Sequence, residues 1–189
     1  MTSTTTDIAK HPASLPLRAG VWELDQAHST ISFTIRHLGI AKVRGRFTDF
    51  GADVVVADTA AASTVVATVD LNSVDTGNND RDTHVRSADL IDVETRPTMT
   101  FRSTEIAGAD DEWTMTGELT IGDITRSITL DVEFGGIADS PLGGPRHAGV
   151  TATGEIRRSD FGIAPGFPSP VLGDAIKVEV DLELLEPAS

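Results

Sequence analysis

Apolar and polar residues alternate one for one along most of this chain, a spacing that strands satisfy and helices do not. The run "AIKVEVDLELLE" (175–186) shows it best. Ile176, Val178, Val180, Leu182 and Leu184 fall on one side, and Lys177, Glu179, Asp181 and Glu183 on the other. "STISFTIRH" (29–37) does the same with Ile31, Phe33 and Ile35, "EWTMTGELTI" (112–121) with Trp113, Met115, Leu119 and Ile121, and "RSITLDVEF" (126–134) with Ile128, Leu130, Val132 and Phe134. Weaker alternation runs through "KVRGRF", "TVVATVDL", "PTMTF" and "GVTATGEI". The chain is therefore expected to be all-β, with about eight long strands and a short one at "VWELD".

Gly- and Pro-containing turns divide these runs, at 108–111, 122–126 and 135–147. The short joins at 108–111 and 122–126 favour antiparallel neighbours, while 135–147 is a longer loop. A second long connection, "RSDFGIAPGFPSPVLGD" (158–174), is of the kind that often carries function. The stretch "TGNNDRDTHVRSADL" (76–90) alone reads as helical, capped by Asn79 or Asp80, with Asp82 and Arg86 placed to pair at i and i+4.

Antiparallel strands with one apolar face each bury those faces either as a sandwich or as a closed barrel. Periodicity alone does not choose between them. The length of the strands and the consistently charged or Thr-rich outer faces favour an eight-stranded antiparallel barrel, which also removes exposed edges. Small inward residues (Gly45, Ala67, Gly117, Ala152 and Gly154) would leave internal space, or would let tightly curved strands bend; the two roles are compatible. The inward set is nearly free of charge. A cavity so lined suits a lipid tail or another long hydrocarbon, with Phe33, Ile35, Phe47, Met99, Phe101, Met115, Leu119, Leu130 and Val180 as its expected wall.

The 189 residues suit one domain, expected over 21–186 behind a flexible tail over 1–20. A balance of 29 acidic to 15 basic residues gives a formal charge of −14, so nucleic acid is not an expected partner. The first twenty residues lack the roughly 7–15-residue apolar core of a secretory signal, and no segment approaches a membrane helix, which reads as cytoplasmic. A transient membrane contact and a homodimer are compatible with this reading. The absence of cysteine removes disulfides, thiolate metal sites and thiol nucleophiles.

No nucleophile elbow, zinc-protease helix, phosphate loop or dinucleotide fingerprint occurs. "NNDRDTHVRSAD" spaces acids like a calcium loop, but its sixth residue is Thr83 where such loops need Gly, and its twelfth is Asp89 in place of Glu. His28, His37 and His84 could supply three nitrogens to a metal-assisted enzyme, although their spacing is not diagnostic. Ser29 beside His28 is a poor nucleophile pair, since neighbouring strand residues face opposite ways. The competing reading for Arg81, Asp82, His84 and Arg86 is structural: they tie a cap to strand ends, with some of them near a ligand headgroup.

Four ordered segments, "WELDQAHSTISFTIRHLGIAKVRGRF" (22–47), "TGNNDRDTHVRSADLIDVETRPTMTFRST" (76–104), "TGELTIGDITRSITL" (116–130) and "GEIRRSDFGI" (154–163), resemble the YceI-like, polyisoprenoid-binding family. The resemblance implies an extended, lipocalin-like antiparallel barrel with a helical segment bordering the pore and a long isoprenoid inside. Members of the family are linked to polyprenyl phosphates or isoprenoid quinones. The expected function is thus non-catalytic binding, sequestration or transport of such a molecule, with no other cofactor. Its signature positions fall here on Asp25, His28, His37, Arg81, Asp82, His84, Gly117, Arg126 and Arg158, and no catalytic residue or metal ligand is carried over.

Overall fold

The structure is a computed structural model that describes residues 14–141 and 143–188. Among these, the strands are β1 (Gly20–Leu24), β2 (Thr30–His37), β3 (Ala41–Phe47), β4 (Phe50–Val56), β5 (Thr64–Asp70), β6 (Val74–Asp75), β7 (Thr98–Ala109), β8 (Glu112–Ile121), β9 (Ile124–Ala138), β10 (His147–Arg157) and β11 (Leu172–Leu185). One α-helix, α1 (Asn79–Arg86), interrupts them. Every strand pairing is antiparallel, in the order β1-β4-β5-β7-β8-β9-β10-β11, and β1 then pairs with β11 to close a ring of eight. From β11 the sheet continues through β2 and β3 to β6.

The long β11 makes both connections possible. Leu184 and Leu185 meet β1, while the stretch from Leu172 to Asp181 pairs with β2. β1 and β2 are in effect one strand broken at residues 25–29, where Asp25 Oδ1 accepts from the Ala27 amide and starts a 3-10 turn. Asp70 breaks β5 from β6 in the same way, accepting from the Asn72 amide. Such a side-chain acceptor offers the backbone a local partner in place of the ladder.

The strand expectations need three adjustments. β4 and β6 do not stand out in the alternation. β7 runs to Ala109, well past "PTMTF", because a bulge between Ser103 and Glu105 shifts its phase. β9 extends through Gly135–Ala138 and β10 begins at His147, which shortens the expected 135–147 loop to 139–146.

The inward glycines are occupied rather than open. A Cβ on Gly45 would run into the Phe33 ring, one on Gly117 into the Phe101 ring, and one on Gly154 into Leu130. Large side chains of adjoining strands lie across these positions, so the glycines make room for rings instead of for a guest.

Of the expected tail, residues 1–13 lie outside the described residues. From Ser14 the chain is placed against the barrel: Leu15 and Leu17 join its apolar clusters, and the Trp22 indole donates to Arg18 O. No helix of the described residues is long and apolar enough to cross a membrane.

Candidate ligand-binding site

The barrel interior divides into two halves. Toward the end where β7 turns into β8, the closed ring surrounds a cavity of about 180 Å³. Its wall is built from alternate residues of successive strands, among them Val54 and Val56 of β4, Val65, Ala67 and Val69 of β5, Ile106 of β7, Trp113 of β8, Val132 and Phe134 of β9, Val150 of β10 and Leu182 and Leu184 of β11. Leu15, Pro16 and Leu17 lie across its mouth. Among the described residues, no ionisable side chain lines it. The single hydroxyl of the lining, Ser63, is engaged with the Ala57 amide and Thr59 O. An enclosure with no free polar group favours an apolar guest over water.

Six of the nine expected wall residues line this cavity: Met99, Phe101, Met115, Leu119, Leu130 and Val180. Phe33, Ile35 and Phe47 do not. The Phe33 and Phe47 rings meet at 5.6 Å beneath the cavity, and Ile35 lies farther along β2, opposite Val43 and Ile176. The residues not anticipated include Leu182 and Leu184, which continue the face of Val180, and Leu15 and Leu17, which sit in the segment read as a tail.

The other half is filled. Leu71, Val74, Ile121 and Phe161 are each at most 2% exposed. Here α1 and the connection after β10 close the barrel, so the helix lies away from the cavity and none of its residues lines it, contrary to the expected place beside the pore. Asn78, not Asn79 or Asp80, caps the helix by accepting from the Arg81 amide. Asp82 and Arg86 do not pair with each other. Buried Asp82 accepts from the amide and hydroxyl of Thr76, and Arg86 donates to Asn72 O and Val74 O. Arg81 donates to Thr76 through both its side-chain hydroxyl and its carbonyl. The exposed His84 ring stands 6.0 Å from that of Phe167.

Arg158 is the centre of this end. Only 4% exposed, it donates to the carbonyls of Ile163, Ala164, Phe167, Leu172 and Gly173. Charge-assisted bonds to several carbonyls compensate the desolvation of the guanidinium. The Asp174 carboxyl, lowered first by its hydrogen bonding with Ser159, lies close enough to be lowered by the guanidinium too. Arg126 is exposed on the outer wall, donating to Thr125 O.

The three-histidine metal reading does not hold. His28 precedes β2, His37 ends it, and His84 is on α1, and their donor atoms form no close group among the described residues. Instead Asp25 Oδ2 lies 2.9 Å from His28 Nδ1, and His147 Nδ1 lies 2.6 Å from Glu183 Oε1 on the outside of the wall. The His28 hydrogen bond holds the Asp25 carboxyl below its ordinary value, and Asp25 in turn raises the His28 imidazole. Asp25, His147 and Glu183 are the residues among those described whose donor atoms are close enough together to hold a metal ion.

Comparison with known proteins agrees with this architecture. Residues 22–184 match the YceI-like domain. A UPF0312 protein of Enterobacter sp. (strain 638) is 39% identical over 156 residues, 82% of this chain and 78% of that protein. Protein YceI of Salmonella arizonae is 39% identical over 137 residues, 72% of this chain and 71% of that one. Among solved structures, the Campylobacter jejuni YCEI protein superposes with a TM-score of 0.72 at 34% identity, covering 87% of this chain and 97% of that one. Burkholderia cenocepacia BcnA gives 0.74 at 26% identity, covering 85% and 99%. A polyisoprenoid binding domain from Saccharophagus degradans, 18% identical with a TM-score of 0.64 over 90% of this chain and all of that one, shares the fold. With residues 22–184 matching the family and relatives 39% identical over most of its length, the chain belongs to the YceI-like domain family.

Proposed function

We propose that this protein is a non-catalytic carrier that sequesters or transports a long amphiphilic isoprenoid, a polyprenyl phosphate or an isoprenoid quinone, with the tail in the barrel cavity. One observation carries the proposal: a cavity inside the closed barrel whose lining, among the described residues, offers an incoming molecule no charge and no unpaired polar group. Burial of one five-carbon isoprene unit there contributes about 4 kcal/mol, at about 0.8 kcal/mol per methylene-sized group. A lining without acid, base or available nucleophile supports binding over catalysis. The name of the Saccharophagus neighbour, a polyisoprenoid binding domain on the same fold, supports the choice of guest.

At about 180 Å³ the cavity is below the roughly 300–1,000 Å³ of ordinary ligand pockets, which favours a guest one chain wide. A longer tail needs room from flexible side chains such as Met99 and Met115, or from displacement of Leu15 and Leu17 at the mouth. Val21 and Val55, opposite one another on β1 and β4 at this same end, are exposed apolar residues, 60% and 40% accessible. They give the mouth a surface suited to brief contact with a bilayer during exchange. Native mass spectrometry of protein purified from its own cells, followed by organic extraction, is the test. The expected result is a released prenyl lipid or quinone; protein that is consistently empty and takes up neither class would overturn the proposal.

A further inference from the structure

Three donor side chains, Asp25, His147 and Glu183, meet on the outer wall at the seam where the barrel closes, with a fourth, His28, beside them. Asp25 follows β1, His28 ends the turn after it, His147 opens β10, and Glu183 stands near the end of β11. Glu183 Oε1 is 2.6 Å from His147 Nδ1 and 3.9 Å from His28 Nδ1, and His28 Nδ1 is 2.9 Å from Asp25 Oδ2. Donor atoms of Asp25, His147 and Glu183 all lie within 4.8 Å of one another. We infer that this cluster is a binding site for one divalent transition-metal ion, best matched to zinc.

The spacing supports that choice. Ligands at about 2.0–2.2 Å in a tetrahedron stand about 3.4 Å apart, and the separations above fall on both sides of that value. Asp25, His147 and Glu183 therefore need only small shifts to share an ion, and the exposed His28 ring, outside that 4.8 Å group, turns in as the fourth ligand. The backbone beneath the donors is cross-braced: the Asp25 amide donates to Glu183 O, the Ser29 hydroxyl donates to Asp25 O, and the Glu183 amide donates to Ser29 Oγ. Asp25 Oδ1 is already held by the Ala27 amide, which orients Oδ2 toward the cluster. Fixed positions of this kind lower the ordering cost of binding.

Charge and donor type point the same way. Two carboxylates and two neutral imidazoles balance a dication, whereas magnesium and calcium prefer oxygen ligands alone. The formal charge of −14 attracts cations to the wall. The Nδ1 atoms of His28 and His147 already lie within hydrogen-bond distance of the Asp25 and Glu183 carboxylates, so an ion would take the place of these two contacts. Because β1 meets β11 only through Glu23↔Leu185 and Leu24↔Leu184, an ion bridging these segments would also brace the ring where its pairing is shortest.

The site is independent of the cavity and is tested apart from it. Tag-free full-length protein, stripped with chelator, is dialysed against zinc chloride alone or magnesium chloride alone, with bound metal and Tm measured. Expected are about one zinc per chain and a saturable rise in Tm with zinc, with neither seen for magnesium. His147→Ala and Glu183→Gln should each weaken zinc binding at least about tenfold and remove the Tm rise. If either fails to fold, His28→Asn, at a side chain 66% exposed, provides the same comparison. No zinc retained by the wild type, or zinc binding unchanged in folded variants, overturns the inference.

Discussion

The two halves of the barrel are made from the same strands with the same alternation, yet one encloses space and the other does not. Around Met115 and Val132 the wall surrounds a cavity; around Ile121 and Leu71 it surrounds side chains. The difference comes from outside the sheet. At the filled end, the segments between β6 and β7 and between β10 and β11 deliver Val93, Phe161 and Ala164 to the interior, all buried, and are joined by the Ala164 amide to Leu90 O. At the hollow end, among the described residues, the chain ahead of β1 brings Leu15 and Leu17 only to the mouth. The strands set the diameter, and the connections decide how much of it is used.

The largest expected effect is at the filled end. Arg158→Ala leaves a group of buried carbonyls without donors and should cost about 3–5 kcal/mol in chemical denaturation. A loss under about 1 kcal/mol would mean that the connection after β10 is held by its apolar residues instead. Next comes a matched pair. Ile121→Ala opens a new cavity and should cost about 2–5 kcal/mol, whereas Met115→Ala, already bordering space, should cost clearly less. Equal losses would break the contrast between the halves. Met115→Arg, folded but charged inside the cavity, should abolish prenyl uptake, and undiminished uptake would place the guest elsewhere.

Removal of residues 1–17 should speed guest exchange about tenfold, as read by displacement of a fluorescent fatty probe, a barrier change of about 1.4 kcal/mol. An unchanged rate would show that the mouth is not the route. The smallest effect concerns acid. Arg146 donates to both Glu186 oxygens at 2.7 Å and holds that carboxyl below its ordinary value. A carboxyl depressed in the folded state adds stability above its unfolded pKa of about 4.3, and that contribution fades as pH falls through the folded value. The clasp joining the start of β10 to the C-terminal segment should therefore loosen in acid, seen as lower hydrogen-exchange protection factors near residues 146 and 186 once the slower intrinsic exchange at low pH is divided out. Glu186→Gln should show the low protection already at neutral pH and change little in protection on acidification.

Much of this was legible in period-two patterning, which identified β2, β8, β9 and β11 outright. β4 escaped because Val54, Val55 and Val56 form a run, with exposed Val55 as apolar as its buried neighbours. The upper part of β7 escaped because its bulge puts Phe101 and Ile106 on the same face five residues apart, which no fixed alternation predicts. Six wall residues were readable; Phe33, Ile35 and Phe47 share the inward face but lie on the wrong side of the boundary set by the connections. The His147–Glu183 pair depends on the β10–β11 register, and Arg158 binds carbonyls, which every residue carries.

That last point reaches beyond the fold. An anchor that grips only main-chain oxygens ignores the side chains of its partners, so the positions from 162 to 172 that face away from the core are free to drift in identity while the backbone keeps its path. The exceptions are set by shape: Gly162 and Ala164 adopt left-handed backbone angles, and Ala164 is fully enclosed. One cation thus gives a whole segment latitude to diverge without loosening the filled end of the barrel.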